Sequence, residues 1–312
     1  MNLHIDKESF NDLIIITAKE RGIPESAVKR DYYIVMVLQK LEQSEYAENC
    51  VFKGGTSLSK CYPGSIERFS EDIDLTFITE EDLSDKQYSR KIKQIETIMS
   101  VGATSEKINA ERNNRNKSSM IWFDDDVDTR IKLEIGSSVR PDPYEKRTLK
   151  TYIQEHLEKE GMTEAIEQID LKPVTINTLN IERTFLDKLF SVKRHAICGT
   201  LNKKVRHIYD VTRLYDMKEI QEFLLNKDEL KRLVELTKKT DSFYLEKRNI
   251  SKDYRPDGNY SFEEWGKYFD DSIQDRYEKL HEDLLYTDEK QNFLKAIETF
   301  EKINGLFKEI EE

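Results

Sequence analysis

The sequence predicts an α+β protein of two lobes: a mixed β-sheet flanked by helices over residues 1–175, then a helical lobe over residues 176–312. Three observations point there. Short apolar runs with strand-like alternation stand between helical stretches ahead of about residue 175. From Ile181 onward the apolar pattern repeats at helical spacing. The length of 312 residues suits about two domains.

Composition narrows the class further. With 37% hydrophobic and 36% charged residues, and only 6 Pro and 11 Gly, the chain reads as globular and rich in helix. No run approaches the ~20 continuous apolar residues of a membrane span. The start MNLHIDKESF lacks the basic-then-apolar order of a signal peptide. The expectation is a cytoplasmic protein that does not engage a membrane. Cys50, Cys61 and Cys198 show no paired metal-ligand spacing and are expected to be reduced, buried and structural. A net charge of -11 excludes whole-surface affinity for nucleic acid, so any polyanion must use a local basic patch.

Taken in order, Phe10, Leu13, Ile14 and Ala18 recur at helical spacing from Lys7 to Arg21, and Gly22 should stop that helix. Pro24 precedes a second helix whose face is Val28, Tyr32, Val35, Met36 and Leu38. Residues 51–77, VFKGGTSLSKCYPGSIERFSEDIDLTF, hold the chemistry. A short strand enters Gly54 and Gly55, Thr56 and Ser57 open a helix, and a second strand carries Asp72 and Asp74. Strand alternation puts both aspartates on one face, with Ile73 and Leu75 on the other. Two adjacent carboxylates repel unless a cation joins them, which suits a site where Mg²⁺ is held by carboxylates and substrate phosphates. The glycine pair suits the phosphates, because backbone without Cβ atoms approaches an anion closely and a helix start offers free N–H groups.

Residues 80–100 read as a linker and an amphipathic helix with Ile92, Ile95, Ile98 and Met99. Residues 103–117 are polar and suit a solvent-facing excursion. SMIWF and RIKLEIG then form a hairpin across DDDVDT, whose aspartates are ordinary turn residues rather than metal ligands. In the second strand Ile131, Leu133 and Ile135 share one face, leaving Lys132 and Glu134 on the other. A mid-strand carboxylate needs a partner. Glu134 is therefore the candidate third acid of the site, the plain alternative being an ion pair in the neighbourhood of Lys132. Residues 140–175, with Pro141, Pro143 and Pro173, suggest a loop, one helix over 153–166 and a short strand, with the lobe boundary near 172–178.

The run from Ile181, IERTFLDKLFSVKRHAICGTLNKKVRHIYDVTRLYDM, carries Arg183, Lys188, Lys193, Arg194, Lys203, Lys204, Arg206 and Arg213. Leu186, Leu189, Phe190 and Val192 supply one buried stripe, and Ile208, Val211, Leu214 and Tyr215 the next. That leaves the cations for an exposed side. Lys193, Arg194, Lys203, Lys204 and Arg206 are the candidate RNA contacts. His195 and His207 are read as packing or RNA-contact residues rather than bases. Beyond Phe223 the tail is helical, broken by the loop at 248–260, and Trp265, Tyr268 and Phe269 are expected in its core rather than on a base-stacking surface.

GGTSLSK followed by RFSEDIDL resembles the motif of the polymerase-beta-like nucleotidyltransferases, and its wording is similar to the AbiEii toxin family. LDKLFSVKRH and RHIYDVTRL resemble that family's later signature, a leucine-rich helix with a lysine and then Arg-His-x-x-Asp. Asp31, in RDYYIVMVL, resembles a further family position, and a helix-surface ion pair is the competing reading. The resemblance implies a metal-dependent transfer of NMP from an NTP to an acceptor hydroxyl. Asp72, Asp74 and Glu134 would hold Mg²⁺ or Mn²⁺, and Gly54, Gly55, Thr56 and Ser57 would hold the nucleotide. Lys188 would contact the triphosphate, with Asp210 supporting the site from the second lobe across an interlobe cleft. It further implies an RNA acceptor, the tRNA 3′ end, a cognate antitoxin and a role in toxin–antitoxin or phage-defence biology. Two other readings stay open: transfer to a protein or small molecule, and a non-catalytic RNA- or partner-binding module.

Overall fold

The computed structural model describes residues 1–245, 251, 253–286 and 290–311, so part of the loop expected at 248–260 lies outside the described residues. The chain forms two compact units, Met1–Cys61 with Phe69–Leu179, and Tyr62–Arg68 with Asn180–Glu312.

In the first unit, β1 (Cys50–Lys53), β2 (Asp72–Phe77), β3 (Thr104–Lys107), β4 (Asn116–Trp122), β5 (Ile131–Gly136), β6 (Tyr144–Leu149) and β7 (Val174–Leu179) form one mixed sheet. Its order is β3-β4-β5-β2-β1-β7-β6. β2 lies at the centre, antiparallel to β1 and parallel to β5. Its inner side chains Ile73 and Leu75, with Ile131, Leu133 and Ile135 of β5, are all but fully buried. Each such aliphatic side chain removed from water contributes about 1.5–3 kcal/mol, which fixes the faces of both strands.

Helices α1 (Lys7–Arg21) and α2 (Glu25–Glu42) form as their periodicity requires. Asp6 caps the first by accepting from the Ser9 N–H, and Gly22 ends it at φ 65°. A short α3 (Gly54–Cys61) follows β1 without an intervening loop. α4 (Asp85–Met99) starts at a capping box, in which Ser84 and Gln87 satisfy one another's backbone N–H. α2 packs against β7, and α4 against β4 and β5.

The hairpin joining β4 and β5 has the expected place, with Ile121 opposite Ile131. Two strands escaped the sequence reading. β3 replaces part of the polar excursion at 103–117, and β6 replaces part of the loop after Pro143. Both are sheet edges, β3 wholly exposed and β6 mostly so, hence without an apolar alternation to read. The single helix expected over 153–166 is two, α5 (Tyr152–Lys159) and α6 (Thr163–Gln168), separated where Gly161 takes φ 72°.

The second unit is helical: α7 (Ile181–Ile197), α8 (Val205–Tyr215), α9 (Lys218–Leu225), α10 (Lys227–Leu245), α11 (Phe262–Trp265), α12 (Asp271–Glu278), α13 (Leu280–Asp283) and α14 (Phe293–Glu311). Trp265 is buried among Tyr260, Phe262 and Phe300, and its indole N–H donates to the Tyr260 carbonyl at 2.7 Å. It is core, as its spacing suggests. Among the described residues, no helix is long and apolar enough to cross a membrane.

Candidate active site

The acidic face is set by strand register. Asp74 lies directly across from Glu134, and Asp72 from Lys132, in the parallel pairing of β2 with β5. Cross-strand partners share a face, so Asp72, Asp74 and Glu134 project together from the middle of the sheet. All three are partly exposed while their strand neighbours are buried. On the other side of Asp74, Lys53 of β1 is its cross-strand partner. Lys132 bridges Glu134 at 3.2 Å and Glu111 at 2.7 Å. Burial opposes its charge, but those two carboxylates outweigh burial and push its pKa up to about 12. The ion pair foreseen as the alternative role of Glu134 therefore exists, on the same face as the aspartates.

Convergence stops short of a closed ligand set. Among the described residues, the three ligand atoms that come within 4.8 Å of one another belong to Glu20, His156 and Glu160. There Glu20 is already shared by His156 and Lys159. Asp72, Asp74 and Glu134 share a face without closing to that separation, and Lys132 pairs with Glu134.

The glycine turn presses on this face. Gly54 takes φ +87°, and a Cβ at that position would overlap the Asp74 carboxylate, lying 3.3 Å from its Cγ. The left-handed backbone favours glycine there, and Gly54 is thereby set against the second aspartate. Thr56 hydrogen-bonds the Asp72 carbonyl and lies 2.8 Å from the Ser70 hydroxyl. The Ser57 hydroxyl donates to the Gly54 carbonyl at 3.0 Å. Both side chains are buried. Their hydroxyls brace the turn that carries the two glycines.

Behind α3, Lys60 pairs with Asp31 of α2 at 2.6 Å, and Asp31 also accepts the Tyr152 N–H at 2.7 Å. The Lys60 ammonium stands 4.0 Å over the Tyr152 ring. Asp31 and Lys60 are both buried, so the pair reading of Asp31 holds, in the interior rather than on the helix surface. It locks α3 to α2 and to the start of α5.

In the second unit, Asp210 of α8 is fully buried and holds two cations. Arg68 meets it through Nε at 2.6 Å to Oδ1 and Nη2 at 2.8 Å to Oδ2, and Lys188 of α7 donates to Oδ2 at 2.6 Å. Burial would raise the Asp210 carboxyl, but the two cations outweigh it and hold it well below the usual carboxylate range. Burial pulls the Lys188 ammonium below its ordinary value, Asp210 supports it, and Arg68 adds to the lowering.

The exposed basic side expected on this helix is corrected. Arg183, Lys188 and Lys193 are all buried, because α7 is enclosed on more than its apolar stripe. Lys193, a candidate RNA contact, spends its ammonium on the Asn259 and Gly258 carbonyls. Arg194 pairs with Asp241 at 2.6 Å. Lys203 is exposed, and Lys204 and Arg206 are partly so. His207 is driven well below its usual value by burial and by Lys188 and Lys204, and rests 3.2 Å from the Ser191 hydroxyl. His195 is pushed down to about 4, chiefly by burial, and pairs with Thr200 at 2.7 Å. In both imidazoles burial favours the neutral form.

Arg68 is the residue the sequence reading missed. It lies inside the stretch RFSEDIDL, but its partner is 142 residues away, so no local pattern announces it.

The family model for the nucleotidyl transferase AbiEii toxin, type IV toxin–antitoxin system, matches residues 37–302. Among solved structures, MenT4, a nucleotidyltransferase toxin from Mycobacterium tuberculosis H37Rv, aligns over 95% of this chain and 98% of its own, with 16% identity and a TM-score of 0.53. JHP933 from Helicobacter pylori aligns over 83% of this chain and 95% of its own, with 18% identity and a TM-score of 0.39. At 16% identity the MenT4 likeness shows a shared fold. Among curated proteins, none matches the sequence.

Proposed function

The chain belongs to the AbiEii nucleotidyltransferase toxin family of type IV toxin–antitoxin systems, and from that premise we propose that it transfers NMP from an NTP to an RNA hydroxyl at the 3′ end of a tRNA. The attacking oxygen forms a bond to the α-phosphorus, the bond from that phosphorus to the bridging oxygen breaks, and pyrophosphate leaves with the electron pair. The hydroxyl proton passes to a base on the acidic face.

The observation that carries this reading is the register of β2 on β5, with Gly54 against Asp74. It gathers three carboxylates on one exposed face beneath a glycine turn. Such an all-oxygen donor set fits a hard divalent ion, with Asp72, Asp74 and Glu134 as its holders. Mg²⁺ or Mn²⁺ bound there would neutralise phosphate charge and acidify the attacking hydroxyl. The residues position and balance charge, which is most of what phosphoryl transfer asks of a protein. The α3 N-terminus offers N–H groups to the phosphates, and Lys132 balances Glu134 when no cation does. Lys188 supplies positive charge to the departing pyrophosphate, with Asp210 holding it. Lys203, Lys204 and Arg206 are the RNA contacts in this reading, with Arg194 and Lys193 committed internally. The partner is a cognate antitoxin, the setting the cytoplasm, and the biology growth inhibition that can serve phage defence.

The test incubates the protein with total RNA, total cell protein, Mg²⁺ and each labelled NTP in turn. Label is expected on RNA of tRNA size, and Asp74→Asn should reduce it to background with an unchanged circular dichroism spectrum. Undiminished transfer by Asp74→Asn would overturn the metal assignment, and label on protein alone would overturn the RNA acceptor.

A further inference from the structure

We propose that Arg68 is a positioning residue for nucleotidyl transfer: it fixes the Asp210 carboxylate, and through it the Lys188 ammonium. The inference rests on the reading above that Lys188 meets the triphosphate.

Arg68 is held from both sides. It forms an isolated antiparallel bridge with Leu285, the neighbouring Glu67 carbonyl accepts the Tyr286 N–H at 3.0 Å, and the Glu67 side chain pairs with Arg213 at 3.0 Å. From that fixed backbone its planar guanidinium engages both Asp210 oxygens, at 2.6 and 2.8 Å. A two-pronged contact sets the plane of a carboxylate, which a single point charge does not. Lys188 then donates to Oδ2, the oxygen already oriented by the Arg68 Nη2. The Lys188 position is thus read off Asp210, and the Asp210 position off Arg68.

Charge and burial argue that this arrangement serves more than stability. Arg68 is 1% exposed, Lys188 5% and Asp210 0%. Buried ionic clusters are often no more stable than apolar residues of the same volume, because the desolvation cost offsets the attraction. In the reading above Lys188 meets the departing pyrophosphate, whose charge grows in the transition state. A displaced Lys188 should therefore lower kcat more than it raises KM.

The experiment measures kcat and KM for NTP incorporation into total RNA by the full-length protein and four variants: Arg68→Met, Arg68→Lys, Lys188→Met, and the double variant Arg68→Met with Lys188→Met. Thermal melts check folding. Arg68→Met should lower kcat by about 10²-fold, as a small misplacement of a reacting group does, with KM moved far less. Arg68→Lys should recover part of the loss. The double variant should be no slower than Lys188→Met alone, because a residue acting through Lys188 has nothing left to act on. Wild-type kcat in Arg68→Met, or losses that multiply in the double variant, would overturn the proposal. Should Arg68→Met fail to fold, Arg68→Lys decides: a lowered kcat with an unchanged melt supports the proposal, and an unchanged kcat overturns it. Full activity in Lys188→Met would instead remove the Lys188 reading on which it rests.

Discussion

Gly54 is held at φ +87° with the Asp74 carboxylate where a side chain would begin. Two penalties meet there, a left-handed backbone and a steric overlap, and they are separable. Gly64 shares the first, at φ +80°, but a Cβ there would meet nothing within 4 Å. Gly54→Ala and Gly64→Ala should both cost about 1–3 kcal/mol of stability from backbone strain. Only Gly54→Ala should also lower NTP incorporation sharply, because its Cβ displaces the Asp74 carboxylate. Thermal melts with labelled-NTP assays on the two variants check this. Equal retention of activity would mean that the contact between Gly54 and Asp74 does not matter to the reaction. The same residue shows how far spacing reaches. A glycine pair ahead of Asp-x-Asp is visible in the sequence, but that the first glycine abuts the second aspartate is a consequence of β1 lying beside β2.

At the scale of an element, α7 shows a periodic apolar stripe concealing a helix buried nearly all round. Its leucines and phenylalanine announce one inner face, yet Arg183, Lys188 and Lys193 are inside as well. Lys193 and Lys188 are each matched by an acceptor from a distant stretch, the Asn259 carbonyl and the Asp210 carboxylate. Burial, reinforced by Lys238 and opposed by Glu311, Glu264 and Asp241, pushes Lys193 down to about 8 from 10.5. Between those two pH values the unfolded chain binds more protons than the folded one, so this group makes stability rise with pH across the window. Below it the cost of burying the ammonium is fully present. In melts from pH 8 to 10.5, the wild type should gain midpoint relative to Lys193→Met as pH rises. A constant difference between the two would show that the buried lysine keeps its ordinary pKa.

For the whole molecule, the chain's division places Tyr62–Arg68 with Asn180–Glu312, although these residues stand between two elements of the sheet-bearing unit. A fragment spanning residues 180–312 therefore lacks Arg68 and leaves Asp210 buried with one cation. Loss of hydrogen bonds to a charged group costs about 1.5–3 kcal/mol, a sizeable share of an ordinary domain's stability. That fragment should show no cooperative thermal transition by circular dichroism. A sharp melt near that of the full chain would mean that Arg68 is dispensable for the fold. Much was legible without coordinates. Alternation assigned β2, β4 and β5 and put Asp72, Asp74 and Glu134 on their outer faces, and helical period located α1, α2, α4, α7 and α8. These are local properties, written by which residues need to leave water. The edge strands β3 and β6 bury too little to leave such a mark. By itself, then, the sequence determined the α+β class, the acidic strands and the family. Only the tertiary structure decided the parallel register of Asp74 on Glu134, the burial of Lys193, and the grip of Arg68 on Asp210. Periodicity reports how a residue faces its own element, whereas pairing across 142 residues exists only once the chain has closed on itself.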